Sequence, residues 1–172
     1  VVVMGGALRH QGNTTPLAEF NTYVDPHAAH IVYHAGWPMT LVPLDVTYQC
    51  VLTQADVDRL LAQEGAVARF IADATRFYME FHDEYQSIKG CVINDPLALA
   101  LVFAPELVVT KSLYVTVDLA SELSLGKTLA DFYDFWHKPA NLEVALEVDG
   151  RTFLDLFLRR IERTYPARRA SN

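Results

Sequence analysis

The chain has 172 residues, 51% of them apolar and 20% charged, with a net charge of −7 and a pI near 5.3. This length suits one domain, residues 1–172, and the composition excludes a disordered chain. The acidic balance argues against nucleic acid or an anionic membrane as partner, and no apolar run approaches the ~20 residues needed to cross a bilayer.

No signal peptide is evident. Cys50 and Cys91 lie in apolar settings and read as buried free thiols of a reducing, cytoplasmic compartment rather than as a disulfide. The basic run of Arg159, Arg160, Arg163, Arg168 and Arg169 is broken by Glu162 and reads as a solvated helix end. The chain starts Val1-Val2-Val3-Met4 with no initiator Met, so more chain is expected before residue 1.

Val1–Met4 reads as a short buried strand ended by Gly5-Gly6. Residues 7–15 read as a polar loop with a turn at Gly12-Asn13. If Glu19-Phe20-Asn21 is extended, Glu19 and Asn21 share one face. Asp25-Pro26 opens a helix through about His34, with Asp as cap and Pro at the first helical position. Gly36-Trp37-Pro38 stops it, and Met39–Val46 reads as the next buried strand. Thr53 with Asp56 gives a near capping box for a helix to about Gln63.

Gly65 breaks that helix, and 66–86 reads as a longer one. Its expected core stripe is Val67, Phe70, Ile71, Ala74, Phe77, Tyr78 and Phe81. Cys91-Val92-Ile93 suits the end of a buried strand. Asp95 then reads as the cap of a helix beginning at Pro96 and ending near Ala104-Pro105. Leu107–Leu119 and Leu142–Val148 alternate as strands, joined by a long polar connection, and suggest an antiparallel ribbon on one edge of the sheet. An amphipathic helix over Arg151–Arg163 closes the chain. The expected architecture is α/β: a Rossmann-like, open, mostly parallel sheet flanked by helices.

The chain has no dinucleotide fingerprint, phosphate loop or Gly-x-Ser-x-Gly elbow. His27, His30 and His34 fall at helical spacing but lack carboxylate or Cys partners, so they read as surface histidines. What remains is a set of amides and carboxylates near expected strand ends: Asn13, Glu19, Asn21, Asp45, Asn94 and Asp95. Such a set, without Lys or Arg, suits a neutral polyhydroxylated ligand or a hard cation.

Several stretches, in order, resemble the inosine–uridine type nucleoside hydrolases. They are Met4-Gly5-Gly6-Ala7, Gly12-Asn13, Glu19-Phe20-Asn21, Asp25-Pro26, Leu44-Asp45-Val46-Thr47 and Asn94-Asp95-Pro96. Gly126-Lys127-Thr128 and Asn141–Asp149 with Phe153-Leu154 also resemble the family's C-terminal region, so the chain is expected to be the C-terminal portion of that fold. The resemblance implies Ca²⁺-dependent hydrolysis of the N-glycosidic bond of a ribonucleoside to ribose and free base. It implies that Asn13 and Glu19 hold the 5′-hydroxyl side of the ribose and that Asn21 contacts the 3′-hydroxyl. It also implies that Met4 packs near the sugar and that Asp95 is a Ca²⁺ ligand touching the ribose.

Two departures stand out. The family's Asp-rich signature is absent, and one carboxylate cannot satisfy Ca²⁺, which takes six to eight oxygens. The family usually has His where Asn94 stands, and Asn cannot transfer a proton at pH 7. Tyr78 and His82, four residues apart on one helix face, resemble base-contacting positions, with His82 a substitute acid. The competing expectation is a non-catalytic remnant or subunit that binds a ribose-like ligand or a partner chain. An apolar sheet edge near Val1–Val3 leads us to expect a homo-oligomer.

Overall fold

The computed structural model describes residues 1–164, so Arg168 and Arg169 of the basic run lie outside the described residues. Two compact units are distinguished. One combines Val1–Gln49 with Asn94–Asp149; the other combines Cys50–Ile93 with the chain from Gly150 onward.

In the first unit, β1 (Val2–Met4) leads through a loop to α1 (Phe20–Val24) and α2 (Pro26–Tyr33). Asp25 caps α2, its carboxylate accepting the Ala28 N–H at 2.8 Å, with Pro26 at the first helical position. β2 (Thr40–Val42) is shorter than the expected strand. Pro43 has no N–H to continue a ladder, and the chain turns into the one-turn helix α3 (Leu44–Thr47). Asp45 is therefore helical, in the first turn of α3.

In the second unit, β3 (Val51–Leu52) pairs antiparallel with β4 (Cys91–Val92) as a separate two-stranded sheet. Cys91 is thus in a strand, but outside the main sheet. Between these strands lie α4 (Gln54–Leu61), with the Thr53/Asp56 capping box formed, and α5 (Ala66–Gln86).

The first unit resumes with α6 (Asp95–Ala100), β5 (Val108–Val117), β6 (Thr128–Asp131) and β7 (Leu142–Val148). The main sheet runs β1-β2-β7-β5-β6. The β1/β2 and β2/β7 pairs are parallel; β7/β5 and β5/β6 are antiparallel. The sheet is therefore mixed rather than mostly parallel. The expected β5/β7 pairing forms, yet β7 lies in the middle of the sheet. β6, hidden in the polar connection, takes the edge. It pairs through four residues, Tyr114 facing Asp131 and Val117 facing Thr128.

The first unit's core is built from the inward faces of these strands. Leu41, Leu113, Val115, Val117, Leu142 and Val144 are buried with Met39 and with Tyr33 of α2. The second unit ends in α7 (Gly150–Thr164), whose Phe153 and Leu158 are buried. Within it, Arg59 of α4 donates to both carboxylate oxygens of Glu162, at 2.8 and 3.1 Å. Cys50 and Cys91 are buried free thiols. Burial pushes the Cys50 thiol up to about 12 and the Cys91 thiol up to about 11.

The stripe expected on α5 does not form a core face: its Phe70 and Phe77 are more than two-thirds exposed, and the helix buries only Ala68 and His82. Among the described residues, no helix is long and apolar enough to cross a membrane.

Candidate functional site

Glu19 organises the exit of β1. The segment is not extended: Glu19 is the N-cap of α1, so Glu19 and Asn21 do not share a strand face. Its side chain is 1% exposed. One carboxylate oxygen accepts the Gly6 N–H at 2.9 Å and the Thr22 N–H at 3.2 Å; the other accepts the Asn21 N–H at 2.8 Å. Three orphan amides at a tight turn and a helix start are thereby satisfied. Burial first, and the nearby Glu19 carboxylate second, push the Tyr33 phenol well above its usual range. Gly6 has φ +79°, and a Cβ there would lie 2.7 Å from Thr128 Oγ1. Only glycine serves both the left-handed backbone and that approach.

Asn13 and Asn21 flank Glu19. Asn13 Oδ1 accepts the Phe20 N–H at 2.8 Å. With that oxygen engaged, the group Asn13 can offer a ligand is its NH₂. Asn21 is exposed, and its Nδ2 lies 3.3 Å from Met4 Sδ and 3.4 Å from Met4 O. Met4, Asn13, Glu19 and Asn21 come from three separate stretches, and the structure gathers them into one hydrogen-bonded cluster at the C-terminal end of β1.

Asn94 and Asp95 belong to the same unit, on α6, which packs against β1. The N-cap of α6 is Asn94, without a side-chain cap bond; Asp95 is the first helical residue and Pro96 the second. The expected cap at Asp95 is thus displaced by one residue. Asp95 is exposed, whereas Asn94 is half-buried. An exposed carboxylate not spent on capping remains a candidate ligand for a hydroxyl or a cation.

Tyr78 and His82 lie in the other unit, one turn apart on α5, with ring centroids 4.2 Å apart. His82 is 1% exposed, not a solvated helix histidine. Its Nδ1–H donates to the Tyr78 carbonyl at 2.8 Å. Burial lowers its pKa, against a smaller opposing effect of that hydrogen bond. A histidine held neutral in this way is a poor proton donor at pH 7. Tyr78 keeps about a third of its surface exposed.

Among the described residues, no group of three or more His, Cys, Asp or Glu is placed to hold a metal ion. The donor set around Asp95 therefore does not fit a complete Ca²⁺ centre. Asp45, one of the candidate ligand carboxylates of the sequence, and Lys127, of the family-like Gly126-Lys127-Thr128 stretch, both bond instead to the backbone of the loop after β1. Asp45 accepts the Leu8 and Arg9 N–H groups at 2.9 and 2.8 Å. Lys127 donates to the Ala7 and Leu8 carbonyls at 2.7 and 3.2 Å. Contacts across 36 to 120 residues of chain leave no local signal.

Residues 1–155 match the family described as inosine-uridine preferring nucleoside hydrolase. The chain is 36% identical over 163 residues to the pyrimidine-specific ribonucleoside hydrolase RihA of Salmonella gallinarum, covering 94% of this chain and 52% of the relative. It is 39% identical over 159 residues to RihA of a Shewanella species, covering 92% and 50%. Among solved structures, it is similar to a purine-preferring ribonucleoside hydrolase from Gardnerella vaginalis, with a TM-score of 0.84 at 34% identity, covering 93% of this chain and 51% of that one. A plant nucleoside hydrolase superposes with the same TM-score at 28% identity, covering 91% and 51%. The chain thus spans about half the length of the relatives it matches.

Proposed function

The chain belongs to the inosine-uridine preferring nucleoside hydrolase family, a family of N-glycosyl hydrolases, and from that membership we propose that it carries the ribose-binding part of a ribonucleoside hydrolase. The observation that supports this reading best is the cluster at the end of β1. Asn13, Glu19, Asn21 and Met4 meet there, with amide NH₂ groups suited to sugar hydroxyls. In this reading Asn13 and Asn21 bind the 5′ and 3′ sides of the ribose. Glu19 serves the 5′ side while keeping the turn and the helix start in place, and Met4 packs against the sugar.

The reaction breaks the bond between the anomeric carbon and the base nitrogen. Water adds to the carbon, and the electron pair leaves with the base, which takes up a proton. Asn94 can donate a hydrogen bond to the departing base but not a proton. His82, neutral at pH 7, does not fill that gap as an imidazolium. The family is known for Ca²⁺ binding. In this proposal Asp95 supplies one carboxylate towards such an ion. The remaining ligands come from outside the chain, so this chain alone neither binds Ca²⁺ tightly nor turns over.

A second reading is a non-catalytic chain that binds a ribose-like ligand or a partner. It is favoured by the amide at Asn94 and the single carboxylate at Asp95. Base release from uridine and inosine with added Ca²⁺ separates the two, using both this chain and the chain extended to its relatives' full length. Turnover by the extended form alone is expected, abolished by Asp95→Ala and raised on purine nucleosides by Asn94→His. No release by the extended form supports the non-catalytic reading. An unchanged rate in Asn94→His removes the leaving-group argument.

A further inference from the structure

The loop that leaves β1 is held in an unusual way. Between Gly6 and Arg9, several backbone groups bond to charged side chains from three distant stretches. Glu19 takes the Gly6 amide, and Asp45 of α3 takes the Leu8 and Arg9 amides. The Lys127 ammonium takes the Ala7 and Leu8 carbonyls from the other direction. Two further backbone bonds pin the start of the loop: Gly5 N–H to Val42 O at 3.2 Å, and Leu44 N–H to Gly6 O at 2.9 Å. The loop is therefore gripped by a cation on its carbonyls and an anion on its amides.

This grip costs something. Lys127 is half-buried, and desolvation lowers its pKa, with Asp45 partly offsetting the effect. A desolvated ammonium is retained only where its hydrogen bonds compensate. Met4 immediately precedes the gripped segment, and Asn13 follows its last gripped residue, Arg9, by four positions. Both belong to the cluster proposed to meet the ribose. A shift of this loop moves them relative to Glu19 and Asn21, and misplacement of about 1 Å can cost a hundredfold in a positioned reaction.

We propose that Lys127 and Asp45 are positioning residues for ribose recognition, holding loop 5–13 in register with Glu19 and Asn21; the proposal rests on the hydrolase reading. Neither residue is assigned contact with the reacting atoms. The loop's hydroxyl contacts are made in ground and transition states alike, so losing the grip raises KM more than it lowers kcat. Arg retains a cation able to reach two carbonyls; Met keeps the length and loses the charge.

The test uses the chain extended to its relatives' full length, with uridine and inosine as substrates and Ca²⁺ present. Lys127→Met is expected to raise KM at least tenfold with kcat within about threefold, and Lys127→Arg to recover most of the loss. Asp45→Asn keeps one acceptor oxygen and is expected to raise KM less; it serves if Lys127→Met does not fold. Hydrogen exchange of the Leu8 and Arg9 amides in this chain should speed up at least tenfold in both Lys127→Met and Asp45→Asn. Unchanged KM, equal values for Met and Arg, or unchanged exchange overturns the positioning role. An extended wild type that releases no base overturns the hydrolase reading itself, and the positioning assignment falls with it. An active wild type with unmoved variants overturns the positioning assignment alone.

Discussion

At the residue scale, Glu19 shows how one side chain ties a turn to a helix start. Its carboxylate caps α1 and holds the Gly6 amide from a buried position. Glu19→Ala leaves three backbone donors without an acceptor, two of them sharing one oxygen. Each such loss costs about 1–3 kcal/mol. We expect Glu19→Ala to lower unfolding stability by about 2–4 kcal/mol, measured by urea titration; a change under about 0.5 kcal/mol, typical of ordinary surface positions, would refute the capping role. His82 carries a pH signature. Burial sets its folded pKa below the unfolded value of about 6.5. Between those values the unfolded chain binds more protons, so the contribution is fully present above pH ~6.5 and is lost as pH falls through the folded value. Urea unfolding at pH 7.5 and 5.5 should therefore show a smaller acid loss in His82→Gln than in wild type. Equal losses would contradict it. His30 shifts in the same direction, through burial and then through His34, His27 and Lys138, so the variant keeps part of the slope.

At the element scale, α5 departs most from its pattern. Apolar residues at three- and four-residue spacing normally mark the buried stripe. Here the spacing is helical, but Phe70 and Phe77 are 72% and 74% exposed. Periodicity specifies a helix; it does not specify which neighbour covers the stripe. Phe77→Ser should accordingly change stability by no more than about 0.5 kcal/mol, where a core phenylalanine truncated to a small residue loses about 3–5 kcal/mol. A loss in the core range on chemical denaturation would place Phe77 inside. Helix caps behaved differently. Asp25-Pro26 and Thr53/Asp56 formed as read because a cap is a local hydrogen bond within three residues. Asp95 failed as a cap by one position, since the helix begins at Asp95 itself with Pro96 second. β6 leaves no mark in the sequence, because four residues within a polar connection carry too little alternation to signal a strand.

For the whole molecule, the sheet order decides what is exposed. Among the described strands, β1 pairs only with β2 and ends the sheet. Val1 is 65% exposed beside it. An apolar strand that ends a sheet keeps one edge of its backbone free to template pairing with another chain. This chain is expected to self-associate, with an apparent mass in light scattering that rises with concentration and falls when Val2→Lys places a charge on the edge. A strictly monomeric chain at all concentrations would exclude this.

The residues by themselves determined the α/β class, the main strands and capped helices, the free buried thiols and the hydrolase family, because each rests on short-range chemistry or an ordered set of motifs. Only the tertiary structure decided that the sheet is mixed with β7 inside it, that Glu19 is buried as a cap, and that His82 is buried. It also revealed the grip of Lys127 and Asp45 on the loop after β1. Those features depend on which distant segments meet. Loop 7–9 is held from 36 positions away by Asp45 and from 120 away by Lys127, separations over which spacing and periodicity carry no information.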